Sequence, residues 1–180
     1  MTMKRVYRVG DISQLRDRDI FFDANILLYL YFATSSMEYW PAQYSAMFSQ
    51  LIRNGNRLVV DYNVLSEVVN KELRSSFKSY AVAHGKPDSY YKTWRNSADG
   101  QNAEIRTYKI VRSMLSSVFQ LDGKIYGKED IHAMLSPTNQ DFTDKAIINL
   151  CQEKHFVLLT NDRDFANADL EILSANKKLS

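Results

Sequence analysis

Apolar and polar positions follow two periods along this chain. Ile20-Phe21-Phe22 is an unbroken apolar run that stops at Asp23, and Ile26-Leu27-Leu28 opens a second run just beyond it. The first pattern predicts a buried strand, and the second a helix over 25–32. Leu58-Val59-Val60 and Phe156-Val157-Leu158-Leu159 repeat the strand pattern, and 119–121 and 170–173 are shorter candidates. Tyr44, Met47, Phe48 and Leu51 fall at helical spacing and predict a helix over 40–53, stopped by Asn54-Gly55-Asn56. Val64, Leu65, Val68, Val69 and Leu73 mark the apolar face of a long helix that runs to about residue 83 and breaks at His84-Gly85-Lys86-Pro87. Ile105, Tyr108, Val111, Leu115 and Val118 predict another helix over 103–119. Short and longer helices are expected over 128–135 and 141–153. Residues 1–19 have little periodicity and read as an irregular lead-in or a short strand. Ser35, Ser36 and Pro41 mark a loop, and 88–101 are polar with Tyr90, Tyr91 and Trp94 interleaved.

Strands alternating with helices predict a single α/β domain, a three-layer α/β/α fold around a mainly parallel sheet. In such a fold helix N-termini share an edge with strand C-termini. Asp23 and Asp162 each follow a strand, and Asp144 lies in the first turn of the helix before the 156–159 strand. From Asp144 that helix climbs about 15 Å and the strand returns about 20 Å, so both carboxylates finish near one edge. Glu67 is about two turns into the long helix, with its side chain leaning back toward the helix start. Topology therefore gathers Asp23, Glu67, Asp144 and Asp162. Each has a plain structural alternative: a helix cap for Asp23, an exposed glutamate for Glu67, a dipole partner for Asp144, a turn residue for Asp162. Four carboxylates at one place call for a cation, and the oxygen-preferring choice is Mg2+ or Mn2+.

The net charge of +2 conceals an uneven distribution. Residues 1–70 hold 7 basic and 7 acidic side chains, 71–128 hold 11 and 5, and 129–180 hold 5 and 9. A basic middle beside an acidic end fits a polyanion drawn toward an acidic site, and equally a solvated basic surface. Arg74 and Lys78, one helical turn apart, form a candidate phosphate rail. Lys92, Trp94 and Arg95 form a candidate clasp for a single-stranded polyanion, with core packing as the alternative for the aromatics. The single cysteine, Cys151, excludes an internal disulfide and a multi-cysteine metal site, and its apolar neighbours predict a buried hydrophobe. His84, His132 and His155 have no partner at ligand or triad spacing. Lys4, Arg5 and Arg8 are followed by no apolar leader, and no run reaches membrane-spanning length, so a cytoplasmic protein with no membrane association is expected.

With these residues in place the chain resembles the PIN-domain family. The matching pieces are FFDANILLYLY at 21–31, VLSEVVN at 64–70 and DFTDKAIINLCQEKHFVLLTNDRDF at 141–165. The likeness covers roughly 18–75 and 138–176. The stretch at about 76–137 looks like an enlarged helical insert in a single domain spanning 1–180. The resemblance implies a metal-dependent endoribonuclease in which water activated by Mg2+ or Mn2+ hydrolyses an RNA phosphodiester, leaving a 5′-phosphate and a 3′-hydroxyl. Asp23 would be the principal metal ligand, with Glu67, Asp144 and Asp162 completing the site directly or through water. Asn25 and Thr160 would orient the carboxylates. Asp141 either shares their face or caps its helix, and Asp164 is a further ligand or a turn residue. The simplest member of this kind is a VapC-like toxin with a protein antitoxin, commonly a homodimer or higher oligomer. The alternatives are a housekeeping RNA-processing or DNA-directed nuclease, and a non-catalytic nucleic-acid-binding module. A haloacid-dehalogenase-type phosphotransferase needs a second aspartate where this chain has Asn25.

Overall fold

The computed structural model describes residues 5–32 and 39–179. Its elements in chain order are β1 (Arg5–Tyr7), a 3₁₀ turn (Val9–Leu15), β2 (Asp19–Phe22), α1 (Ala24–Tyr31), α2 (Tyr39–Arg53), β3 (Arg57–Val60) and α3 (Tyr62–His84). A second 3₁₀ turn (Asp88–Tyr90), α4 (Tyr91–Arg95), α5 (Ala98–Ser117), β4 (Phe119–Leu121) and α6 (Lys128–Met134) follow. The chain closes with α7 (Phe142–Lys154), β5 (Val157–Leu159), a 3₁₀ turn (Arg163–Asn167) and β6 (Glu171–Leu173). The strands form one sheet in the order β1-β6-β5-β2-β3-β4, and every pair is parallel. Helices cover both faces, so the expected three-layer α/β/α architecture is present. No helix of the described residues is long and apolar enough to cross a membrane.

The unbroken apolar runs belong to the central strands, as expected for strands buried on both faces. Ile20, Phe21 and Phe22 of β2 and Val157, Leu158 and Leu159 of β5 are completely buried. Phe22 meets Phe119 of β4 edge to face, with ring centroids 4.9 Å apart. At the outer edge Arg8 donates to the carbonyls of Ser174, Asn176 and Leu179, which ties the β1 end of the chain to the segment after β6. The short strand expected within 1–19 is β1. The loop expected at Ser35 and Ser36 lies outside the described residues, and Pro41 belongs instead to the first turn of α2. There proline is tolerated because the first helical N–H groups have no partner to lose.

The stretch 76–137 does not form a purely helical appendage, because β4 within it pairs with β3 in the main sheet. Its helical part has a small core of its own, in which Leu73, Phe77 and Ala81 of α3 pack with Trp94 and Ala103. The polar 88–101 stretch, with its interleaved aromatics, supplies α4 and the start of α5. The predicted phase of α5 is also corrected. Ile105 and Tyr108 are 52% and 45% exposed, and the buried face runs through Gly100, Ala103, Thr107 and Met114. Small residues occupy this face because α4 crosses it very closely. A Cβ at Gly100 would stand 2.2 Å from the Trp94 carbonyl oxygen and 2.7 Å from the Arg95 Cα. Gly100→Ala should therefore lower stability by about 1–3 kcal/mol, the usual penalty of overpacking. Urea denaturation checks this, and unchanged stability would show that α4 can move away freely.

Candidate functional site

Extending the strand register by one residue sets a row of polar side chains along the C-terminal edge of the sheet. Ser174, Thr160, Asp23, Asp61 and Asp122 follow β6, β5, β2, β3 and β4 in that spatial order. The ladder continues into this row, since the Asp23 N–H donates to the Leu159 carbonyl (3.1 Å) and the Thr160 N–H to the Leu173 carbonyl (3.2 Å). Hence the sheet itself seats Asp23 beside Thr160, although 137 positions separate them in sequence.

Asp23 and Asp61 occupy equivalent positions and behave differently. Both are buried, both precede a helix, and both have an asparagine two residues on. Asp61 is a working N-cap: its carboxylate accepts the Val64 N–H (2.8 Å) and the Asn63 side-chain amide (3.0 Å). Asp23 makes no such cap to α1. Its Oδ2 instead accepts the Thr160 hydroxyl (2.6 Å) and the Asn25 amide (2.7 Å). Thr160 Oγ1 in turn accepts the Asp162 N–H (2.9 Å), and Asn25 Oδ1 accepts the Asn161 N–H (3.3 Å). Thr160 and Asn25 therefore do orient a carboxylate. The same hydroxyl also fixes the backbone of the turn that carries Asp162.

The other acidic residues lie around this centre. Burial pushes Asp23 up to about 7, and the charges of Glu67 and Asp162 add to the shift against the opposing Thr160 hydrogen bond and the Ala24 N–H. Asp144, half-buried in the first turn of α7, is pushed up to about 6 by burial and by the charge of Asp141, with Asp162 and Asp164 adding to it. Asp162 thus acts on both Asp23 and Asp144, and Glu67 acts on Asp23. Asp141 caps α7 by accepting the Asp144 N–H (2.8 Å), which settles its role as a cap that also repels Asp144. Asp162 Oδ1 accepts the Asp164 N–H (3.0 Å) and opens the 3₁₀ turn over Arg163–Asn167, and Asp164 projects from that turn, exposed.

One residue at the site had not been singled out by sequence pattern. Lys71, one turn after Glu67, pairs with it at 2.5 Å. Burial opposes its charge, yet the bond to Glu67 and the charges of Glu67, Asp23 and Asp162 outweigh this and raise its pKa. The i, i+4 Glu–Lys spacing was the available signal, although it occurs on ordinary helix surfaces as well. Glu67, Lys71, Arg74 and Asp141 line a hollow of about 480 Å³.

The proposed RNA-binding set divides. Arg74 lies in that hollow, its guanidinium 4.6 Å from the centre of the Tyr91 ring. Lys78 and Lys92 are exposed. Trp94 is 2% exposed and belongs to the core shared by α3, α4 and α5, so it cannot stack on RNA. Its indole contributes most by filling the space between the three helices. Arg95 pairs with Glu104 at 2.8 Å. Cys151 is buried, and burial drives its thiol well above the ordinary value. His84 contacts the Tyr80 carbonyl (2.9 Å), while His132 and His155 are exposed on α6 and just after α7, away from the sheet edge.

A divalent cation fits the donor set by chemistry and charge. The donors are all oxygen, and burial, reinforced by neighbouring acids, holds Asp23 and Asp144 above the ordinary carboxylate range. Among the described residues no three His, Cys, Asp or Glu side chains form a ready-made metal cage. Mg2+ does not require one, because it keeps several waters and commonly takes one or two carboxylates together with substrate phosphate. Scans against protein-family models and against curated proteins find no match to this chain.

The position of Asp23 has a consequence for stability. An unfolded aspartate titrates near 3.8, and in the folded chain Asp23 titrates near 7. Between those values the folded form keeps a proton that the unfolded form has released, so stability falls as pH rises through this window and levels off above it. Asp23→Asn removes that loss. The variant should be more stable than the parent by a few kcal/mol at pH 8, and the gap should close toward pH 4. Urea denaturation across this range would refute buried-charge strain at Asp23 if the two proteins matched at pH 8.

Proposed function

We propose that this protein is a metal-dependent endoribonuclease of the PIN-domain type, acting through Asp23, Glu67, Asp144 and Asp162. The observation that carries this reading is the behaviour of Asp23. It stands where a helix cap would, does not cap, and is held in a buried position by Thr160 and Asn25, within reach of the charges of Glu67 and Asp162. A structural aspartate gains nothing from such placement, as Asp61 one strand away illustrates. A ligand for a hard cation gains a fixed orientation and a strong demand for positive charge.

A bound Mg2+ or Mn2+ would act as the Lewis acid that polarises the phosphodiester and activates water. The chain's own part is positional. Asp23 offers one oriented carboxylate, with Oδ2 committed to Thr160 and Asn25. Glu67, Asp144 and Asp162 approach from α3, α7 and the turn after β5, directly or through water. Lys71 and Arg74 supply positive charge beside the acids, suited to a backbone phosphate. The toxin of a toxin–antitoxin pair is the simplest form of this activity and would bring a protein antitoxin as partner. A housekeeping or DNA-directed nuclease would use the same site.

Incubating the protein with structured and single-stranded RNAs in Mn2+ should give cleavage that EDTA and Asp23→Asn each reduce to background. Cleavage by the variant at the parent's rate would remove Asp23 from the site. A second readout needs no substrate. Mg2+ or Mn2+ should raise the melting temperature at pH 8, where the acids are ionised, and much less at pH 5. Asp23→Asn should lose most of that rise. A rise of equal size in the variant would place the ion elsewhere.

A further inference from the structure

The hollow beside the carboxylates is not isolated. Ser66 and Asn70, successive turns of α3, form one of its walls. The same two residues wall a second hollow of about 310 Å³ on their other side, lined by Tyr62, Val69, Arg95 and Tyr108. Glu67, Lys71 and Arg74 face the first hollow, while two tyrosines and an arginine face the second. The two hollows therefore adjoin across Ser66 and Asn70 of α3, the first beside the acidic residues and the second beside the tyrosines.

The second hollow has the composition of a stacking platform. Tyr62 is 76% exposed at the first position of α3, and Tyr108 is 45% exposed on α5. One exposed tyrosine is ordinary, but two in a single depression with an arginine call for an occupant. The Tyr108 ring is also steadied. Its hydroxyl donates to Glu104 (2.7 Å), and Arg95 donates to the same carboxylate (2.8 Å). Val69 offers an apolar floor, and Ser66 and Asn70 place polar groups at the rim. An aromatic face, a planar guanidinium and neighbouring cations complement an unpaired nucleobase with its attached phosphate. A base inside a duplex is already stacked and cannot enter.

We propose that Tyr62 and Tyr108 form a subsite for an unpaired nucleobase of an RNA strand whose backbone is held by Lys71 and Arg74 at the acidic site. The inference rests on the nuclease reading for its substrate, and it makes the preferred substrate single-stranded. Sequence pattern offered Trp94 for base stacking, with core packing as the alternative; Tyr62 and Tyr108 are instead the exposed rings of a hollow that adjoins that of Glu67 and Lys71.

The test measures binding without cleavage, by fluorescence anisotropy in EDTA, using a short labelled single-stranded RNA and the same sequence as a duplex. Tyr62→Ala and Tyr108→Ala should each weaken single-strand binding about tenfold, the usual worth of one stacked base. Tyr62→Phe and Tyr108→Phe, which keep the ring, should bind close to the parent, and duplex binding should be weak and unaffected. Circular dichroism and gel filtration establish that each variant keeps its fold and oligomeric state. Unchanged binding by the alanine variants overturns the proposal. So does equal weakening by Phe and Ala, duplex binding as sensitive as single-strand binding, a change of oligomeric state as the sole effect, or no single-strand binding by the parent. The cleavage assay is independent. Ring-dependent binding without metal-dependent cleavage would sink the nuclease reading and leave the subsite standing, and cleavage with ring-independent binding would do the reverse.

Discussion

The parallel pairing of β2 with β5 is the constraint on which the site depends. Its register sets Phe22 opposite Leu159, so the next residues, Asp23 and Thr160, fall side by side. A slip of one residue would exchange Phe21, Phe22, Leu158 and Leu159 between two close-packed faces, so each of these fully buried side chains would have to be repacked. The register is therefore enforced by hydrophobic burial far from any polar group. The carboxylate–hydroxyl contact at the sheet edge inherits that precision. Preorganisation here is a by-product of core packing, and the site needs little local rigidity of its own.

The same logic explains what the sequence makes legible. The central strands could be located because their runs are apolar on both faces and end in a charged residue. The expectation that Asp23, Glu67, Asp144 and Asp162 lie toward one sheet edge followed from α/β topology alone. The choice between cap and ligand for Asp23 did not follow, since Asp23-Ala24-Asn25 and Asp61-Tyr62-Asn63 have the same form. Only the neighbour across the sheet separates them: Thr160 draws Asp23 away from its helix, while Asp61 is left to cap.

Failures cluster where small residues do the packing. The apolar pattern of α5 points to Ile105 and Tyr108 because they are large. The helix buries Gly100, Ala103 and Thr107 instead, since α4 leaves no room for larger groups. For Trp94 the sequence left core packing and base stacking both open, and the structure selects the core. Its polar neighbours in sequence suggested a surface ring, while its spatial neighbours, Phe77 and Ala103, come from two other helices. Lys71 was overlooked because a Glu–Lys pair on a helix usually means only a solvated surface.

The clamp that Arg8 makes on the segment after β6 has a further implication for when the protein becomes competent. β1 and β6 are neighbours although every other strand lies between them in the chain, and Asp23 gains its Thr160 partner only once those intervening elements have been made. Until then the acidic field has one wall, and the orienting hydroxyl is missing. Vectorial synthesis therefore imposes a delay on the site.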